Sequence, residues 1–322
     1  MEEILRIFPP YLAKRLSEEI RDWGELEEIR IRIMSPVEIV YSQFSFMLHH
    51  VIPTTDDGIF ILNQLSEHSI YRLEDELRQG YITIEGGHRV GISGKVNTEQ
   101  GSVKAIRHLA FFNFRIAKQI KGVAKPFVPS LFRGQYLNTL LIGPPRCGKT
   151  TFLRDFIRII SDGEEPFPAK KVAVIDERSE IAACKNGIPQ HDVGVRTDVM
   201  DACPKAEGMM MMIRSMSPDV MVVDEIGSKE DVQALMEALH AGITVICSVH
   251  GKDVAEIRKR PSLAPLFHAN AFQRYVTFST EPRPGTVQSI VDENNQSKNV
   301  RGRRNEVDRS PSLTVRHNIR RF

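Results

Sequence analysis

Residues 140–151 read Leu140-Leu-Ile-Gly-Pro-Pro-Arg-Cys-Gly-Lys-Thr-Thr151. An apolar run stops at Gly143, four residues intervene, and Gly148-Lys149-Thr150 opens an amphipathic stretch. The spacing is G-x-x-x-x-G-K-[ST] between an expected strand and an expected helix, the context that a phosphate-binding loop requires. Glycine at both ends lets backbone N–H groups turn inward on an anion, and the start of the next helix adds its positive dipole end. Gly143, Pro144, Pro145, Arg146, Cys147, Gly148, Lys149, Thr150 and Thr151 are therefore the expected nucleotide-binding segment. Within it Lys149 reaches the β- and γ-phosphates and the Thr150 hydroxyl ligates Mg²⁺. The segment implies a bound nucleoside triphosphate.

Downstream, Val220-Met-Val-Val-Asp224-Glu225 is an apolar strand ending in two acids, about 75 residues after the loop. Asp224 at the strand end suits the Mg²⁺, held through water, and Glu225 suits the polarisation of an attacking water. Two further strands carry polar tips on the same sheet edge. Val172-Ala-Val-Ile175 runs into Asp176-Glu177-Arg178, and Val245-Ile-Cys-Ser248-Val249 runs into His250. Ligands sit at the carboxyl ends of the strands in open parallel sheets. Lys149/Thr150, Asp176/Glu177, Asp224/Glu225 and Ser248/His250 are thus expected to converge. Glu177, Glu225, Lys149 and His250 are candidate catalytic residues, His250 as a γ-phosphate sensor, and Thr150 and Asp224 are candidate metal ligands. No H-E-x-x-H or metal-spaced Cys/His set is present, so zinc has no support.

The surrounding pattern gives the fold class. Apolar strands are expected at Leu137–Ile142, Val172–Ile175, Val220–Val223, Ile243–Val249 and Tyr275–Phe278. Helices at Thr150–Ser161, Ala206–Met216 and Lys229–Ala241 separate them, which means α/β with a mainly parallel sheet covered on both faces. The methionine run Met209–Met212 falls in one of those helices and reads as core or subunit packing. Residues 1–120 read as an α+β N-terminal domain. Tyr11–Trp23 and Ile59–Glu76 have helical periodicity, and Leu26–Ile33 and Val37–Tyr41 alternate as strands. Gly80–Val96 is a strand, a Gly-Gly turn and a strand, with a third strand at Val103–His108. Lys121-Gly-Val-Ala-Lys-Pro-Phe-Val-Pro129 has the glycine and proline density of a linker. Residues 121–284 form the nucleotide-binding domain. Residues 285–322, rich in Arg, Asn, Ser and Pro, read as a largely disordered basic tail.

Composition narrows the class further. The chain has 322 residues, 41% hydrophobic and 26% charged, with a formal net charge of +2. That is ordinary for globular domains, and a nucleic-acid coat would be more basic. No stretch approaches ~18 consecutive apolar residues, so no membrane span is expected. Met1-Glu-Glu-Ile-Leu-Arg leads at once to Pro9-Pro10, unlike a secretory signal. Cys147, Cys184, Cys203 and Cys247 are scattered, which fits reduced thiols in a cytoplasm.

The order of phosphate loop, acidic strand end, Asp/Glu box and Ser-x-His box behind an α+β domain resembles the secretion ATPases of type II and type IV systems. The nearest segments are Asp219-Val-Met-Val-Val-Asp-Glu-Ile-Gly-Ser-Lys-Glu-Asp231 and Ala241-Gly-Ile-Thr-Val-Ile-Cys-Ser-Val-His250. More narrowly, residues 1–285 resemble the stage III sporulation protein AA family. Glu28-Ile-Arg-Ile-Arg32, Gly87-His-Arg-Val-Gly-Ile-Ser-Gly94, Ile175-Asp-Glu-Arg-Ser-Glu180, Val195-Arg-Thr-Asp-Val199 and Arg214-Ser-Met-Ser-Pro-Asp-Val220 carry that likeness with the phosphate loop. The resemblance implies a RecA-like, homo-hexameric ATPase using ATP and Mg²⁺. It would sit at the cytoplasmic face of the mother-cell membrane around the forespore, against membrane proteins of a secretion-like channel. It also implies N-domain arginines near the γ-phosphate, for which the sequence offers Arg89, Arg107 and Arg115; an arginine there stabilises transition-state charge. The absence of an N-K-x-D element favours ATP over GTP. Two other classes compete: a nucleic-acid-associated ATPase, for which Arg301-Gly-Arg-Arg304 and Arg320-Arg321 speak, and a nucleotide-binding scaffold without turnover, against which Glu225 speaks.

Overall fold

The computed structural model describes residues 1–67, 80–99, 102–294 and 296. Two sheets form the frame. The first has six antiparallel strands in the order β3-β2-β1-β6-β5-β4. These are β1 (Leu26–Arg32), β2 (Val37–Tyr41), β3 (Ser45–Leu48), β4 (Tyr81–Thr83), β5 (Arg89–Glu99) and β6 (Ser102–Arg115). Ile29 and Ile31 on β1, Val37 and Ile39 on β2, Val90 on β5 and Phe112 and Phe114 on β6 are buried. They pack with Leu12 and Leu16 of helix α2 (Pro10–Glu19), behind the short α1 (Glu2–Leu5). Alternating burial along β1 and β2 follows from one apolar face on a pleated strand.

Helix α3 (Thr55–Leu65) starts at a capping box. The Thr54 hydroxyl accepts from the Asp57 N–H, and the Asp57 carboxylate accepts from the Thr54 N–H, so two end groups are satisfied reciprocally. The remainder of the helix expected over Ile59–Glu76 lies outside the described residues from 68 on.

The second sheet has seven strands in the order β13-β12-β7-β11-β10-β8-β9. They are β7 (Thr139–Gly143), β8 (Val172–Asp176), β9 (Thr197–Asp201), β10 (Val220–Val223), β11 (Thr244–His250), β12 (Arg274–Ser279) and β13 (Thr286–Val291). All pair in parallel except β13, which is antiparallel to β12. Helices α4 (Lys149–Asp162), α5 (Lys205–Ser215) and α6 (Lys229–His240) cover it. Two short helices follow, α7 (Val254–Ile257) and α8 (Ala264–His268). Leu141 of β7 joins the core with Phe152, Phe156 and Ile160 of α4, while Leu140 and Ile142 join Leu235 and Ala238 of α6 on the other face. A strand buried on both faces needs apolar residues at every position, as residues 140–142 supply. Met209 and Met212 are buried in the latter core and Met210 packs against it, while Met211 is exposed.

In the first sheet β3 is absent from the sequence reading and β6 runs past His108 to Arg115; three further features depart from it. β9 is an additional edge strand, every residue half-buried, with two acids in Thr-Asp-Val-Met-Asp. β13 takes residues 286–291 into the sheet, although composition assigns them to the tail; pairing with β12 supplies the order that their sparse apolar content does not. The Gly/Pro-rich connection is docked: Ala124, Val128 and Leu131 are buried against α4, and the Ala124 N–H donates to the Asp155 carboxylate at 2.9 Å. Arg301–Arg304 and Arg320–Arg321 lie outside the described residues.

Candidate nucleotide site

The phosphate loop leaves the carboxyl end of β7, from which the chain goes on to β8 on one side of the sheet, while the adjacent β11 goes on to β12 on the other. A crevice outside the strand ends at such a switch point is where open α/β sheets bind ligands. Here a cleft of about 760 Å³ opens between the two sheets. One wall carries residues 145–151 with Asp224, Glu225, Ser248 and His250, and the other carries Glu27, Glu28, Arg89, Arg115 and Lys118.

The loop is held in shape by its glycines and a backbone strap. Gly148 has φ +94°, and a Cβ there would meet the Gly285 nitrogen at 2.7 Å. Gly285 in turn donates its N–H to the Cys147 carbonyl at 2.8 Å. Pro284 and Gly285, just before β13, thus pack directly on the loop.

Lys149 is buried and folded back. Its ammonium donates to the carbonyls of Gly143 (2.8 Å) and Pro144 (3.0 Å) and lies 3.1 Å from His250 Nδ1. Burial lowers its pKa. Because an ammonium only donates, His250 Nδ1 accepts, and the imidazole proton sits on Nε2, 3.0 Å from Glu225 Oε1. The other Glu225 oxygen accepts from Arg178 Nη1 at 3.1 Å. Lys149, His250, Glu225 and Arg178 therefore form one continuous chain across the strand ends.

Ser248 organises the two acids. Its hydroxyl donates to Asp224 Oδ1 and accepts from the Glu225 N–H at 3.0 Å. Glu225 itself has φ +54°, a left-handed conformation that costs a residue with a Cβ about 1–2 kcal/mol. The Thr150 hydroxyl lies 3.5 Å from Asp224 Oδ2. A hydroxyl and a carboxylate side by side are the hard oxygen ligands that Mg²⁺ takes together with substrate phosphates and water. Their chemistry fits that ion.

The end of β8 behaves differently from the sequence reading. Asp176 is buried and accepts from the backbone N–H groups of Glu180, Ile181 and Ala182 at 2.8–2.9 Å. Burial pushes its pKa up to about 6 despite those bonds. Glu177 pairs with Lys205 and does not line the cleft. The reason is sheet order: β8 lies beyond β10 and β11 from β7. The loop after β8 nevertheless returns to the cleft with Arg178, Ser179 and Glu180. Arg178 was missed by sequence reasoning; its only signal was a basic residue after the acidic pair.

The three N-domain arginines separate. Arg89 and Arg115 are register partners on β5 and β6, and both line the cleft. Arg89 is engaged by protein: Nη2 donates to the carbonyls of Arg178 and Ser179, the latter at 2.8 Å. Arg115 is exposed and has no hydrogen bond or ion pair among the described residues. Arg107 lies opposite Lys95, far along β6, and its side chain is outside the described residues. Arg154 of α4 spends its guanidinium on the carbonyls of Ile181 and Glu180, and burial lowers its pKa to about 10.

A phosphate loop after β7, an acidic pair after β10 and a Ser-x-His at the end of β11 together define a P-loop ATPase fold. The ATPase DotB of Legionella pneumophila superposes with TM-score 0.57 at 14% identity, over 84% of this chain and 76% of that one. The pilus retraction motor PilT with bound ADP superposes with TM-score 0.58 at 17% identity, over 85% and 77%. The chain belongs to the family described as sporulation stage III, protein AA, whose pattern matches residues 1–298. Stage III sporulation protein AA of Bacillus subtilis (strain 168) is 52% identical over 293 residues, 91% of this chain and 95% of that protein. The match runs beyond residue 285, so β13 belongs to the shared family pattern.

Proposed function

We propose that this chain binds Mg²⁺-ATP in the cleft and hydrolyses it, and that a homo-hexamer uses the turnover to energise or gate a secretion-like channel between mother cell and forespore. The observation that carries the reading is the junction of Lys149, His250 and Glu225 beside the Thr150–Asp224 pair, on a chain of a sporulation family. Lys149 exchanges its loop carbonyls for β- and γ-phosphate oxygens on nucleotide entry. Thr150 and Asp224 would hold Mg²⁺, which when bound would supply positive charge against the phosphates. Glu225 accepts the proton of the attacking water, His250 connects that carboxylate to Lys149, and Arg115 supplies a free cation from the facing sheet. No helix among the described residues is long and apolar enough to cross a membrane, so attachment to the mother-cell membrane would come through partner proteins.

The test is Mg²⁺-dependent ATP hydrolysis by the purified protein, with Lys149→Ala and Glu225→Gln and with mass measured in the same buffers. The reading expects Lys149→Ala to lose binding, Glu225→Gln to bind ATP without turnover, and a six-subunit species to appear with nucleotide. Equal turnover in wild type and Glu225→Gln would reject it.

A further inference from the structure

Arg89 stands at the first position of β5, on the facing sheet, yet its guanidinium is spent on the loop after β8. Beyond the carbonyls of Arg178 and Ser179, its Nη1 lies 3.6 Å from Glu180 Oε1, and its Cζ lies 4.8 Å from the centroid of the Tyr81 ring. The loop it grips is fixed on its other side by the nucleotide-binding domain. Asp176 holds the amides of residues 180–182, and the Ser179 hydroxyl donates to Asp201 of β9 at 2.5 Å. The side chain projecting from that clamped backbone is Arg178, which meets Glu225 Oε2.

We infer that Arg178 positions the Glu225 carboxylate, and that Arg89 acts on that carboxylate through Arg178, by holding the loop that carries it, rather than by touching nucleotide. The inference rests on the proposed hydrolysis at this site and changes the role expected for Arg89. A planar guanidinium donating to two successive carbonyls fixes both position and orientation of a backbone segment, which an ammonium does not. A displacement of the N-terminal sheet relative to the loop is thereby transmitted to one oxygen of the catalytic acid. Arg115, one strand over, has no bond to that loop and keeps its charge for the cleft.

The experiment compares Arg89→Ala, Arg89→Lys, Arg178→Ala, Arg178→Lys and the double alanine variant in the full chain. Turnover is read as kcat and KM separately, with ATP affinity from a fluorescent analogue. Arg178→Ala is expected to lower kcat about 10-fold or more at unchanged KM, as loss of a group that orients a general base does. Arg89→Ala is expected to do the same, and the double variant to be no worse than Arg178→Ala within about 2-fold, because residues in one network are non-additive. Arg178→Lys recovers part of kcat; Arg89→Lys does not. Losses that multiply, or weaker ATP binding in Arg89→Ala, would overturn the inference and make Arg89 a nucleotide contact. A second readout does not need turnover: hydrogen exchange in nucleotide-free protein. The Ser179 and Glu180 amides, both bonded to Asp176, are expected to exchange about 10-fold faster in Arg89→Ala and at the wild-type rate in Arg115→Ala. Unchanged exchange in Arg89→Ala overturns the inference. A wild type without turnover but with that exchange pattern counts against the proposed hydrolysis alone.

Discussion

Replacing Ser248 by alanine tests whether one hydroxyl sets the geometry of both acids. Ser248 is fully buried, and its Oγ hydrogen-bonds both the Asp224 carboxylate and the Glu225 backbone N–H. Removing it deletes a bond to a carboxylate, worth about 1.5–3 kcal/mol, and a neutral bond worth about 1 kcal/mol. The expected destabilisation is therefore about 2.5–4 kcal/mol, read in urea as a lower midpoint at unchanged slope. A second effect follows from Glu225, whose positive φ is held by that bond. Freed from it, the residue relaxes out of the left-handed region and draws its carboxylate off His250 and Arg178. A misplacement of about 1 Å costs on the order of 100-fold in rate, so turnover should fall by that order while ATP affinity, set by the loop, changes less. Ser248→Thr, which keeps the hydroxyl, should retain more turnover than Ser248→Ala. A Ser248→Ala protein with wild-type midpoint and turnover would refute the reasoning.

Gly148→Ala should weaken nucleotide binding and lower stability together: its φ of +94° disfavours any Cβ, and that atom would meet the Gly285 nitrogen at 2.7 Å. Binding titrations and thermal unfolding check this, and an unchanged affinity would show that the strap gives way. For His191, burial, and secondarily the charge of Arg154, lower its pKa to about 4 from the ordinary 6.5. As pH falls through that window the unfolded chain takes a proton that the folded chain refuses, so stability present above 6.5 is progressively lost towards 4. At pH 5 the loss is about 2 kcal/mol at most. His191→Gln should accordingly lose less stability between pH 7 and pH 5 than wild type, and an equal loss would contradict the assignment. Asp176 contributes in the opposite sense, losing stability as pH rises towards its pKa of about 6, but is present in both proteins and cancels in the comparison. Thr54→Ala should cost about 1 kcal/mol by removing half of the α3 capping box, with ATP affinity unchanged because the cap lies outside the cleft.

The parts of the site legible in the sequence are those where local pattern and position in the fold coincide. The loop spacing, the apolar run into Asp224-Glu225 and the run into Ser248-Val-His250 each announce a strand end, and β7, β11 and β10 are consecutive in the sheet. Asp176-Glu177 has the same local pattern and a different fate, because strand order, which no local pattern carries, puts β8 farther away. β9 was missed for a related reason: an edge strand buries little, so Asp198 and Asp201 are tolerated and the alternation disappears. Likewise β13 owes its order to a partner strand about ten residues earlier rather than to its own composition.

Arg178 illustrates the limit from another side. Its backbone enters the cleft because the chain turns after β8, with Ser179 at φ +51° and the next three amides folded onto Asp176. That turn is stabilised by a buried carboxylate that sequence reasoning assigns to the ligand, and the carboxylate is occupied by backbone instead. The acid at the end of β8 thus shapes the site without entering it. It fixes the loop from below, Arg89 fixes the same loop from the opposite sheet, and the residue between them reaches Glu225. A chain of polar contacts that crosses two sheets in this way makes the spacing of the sheets, and not the phosphate loop alone, a determinant of where the Glu225 carboxylate points.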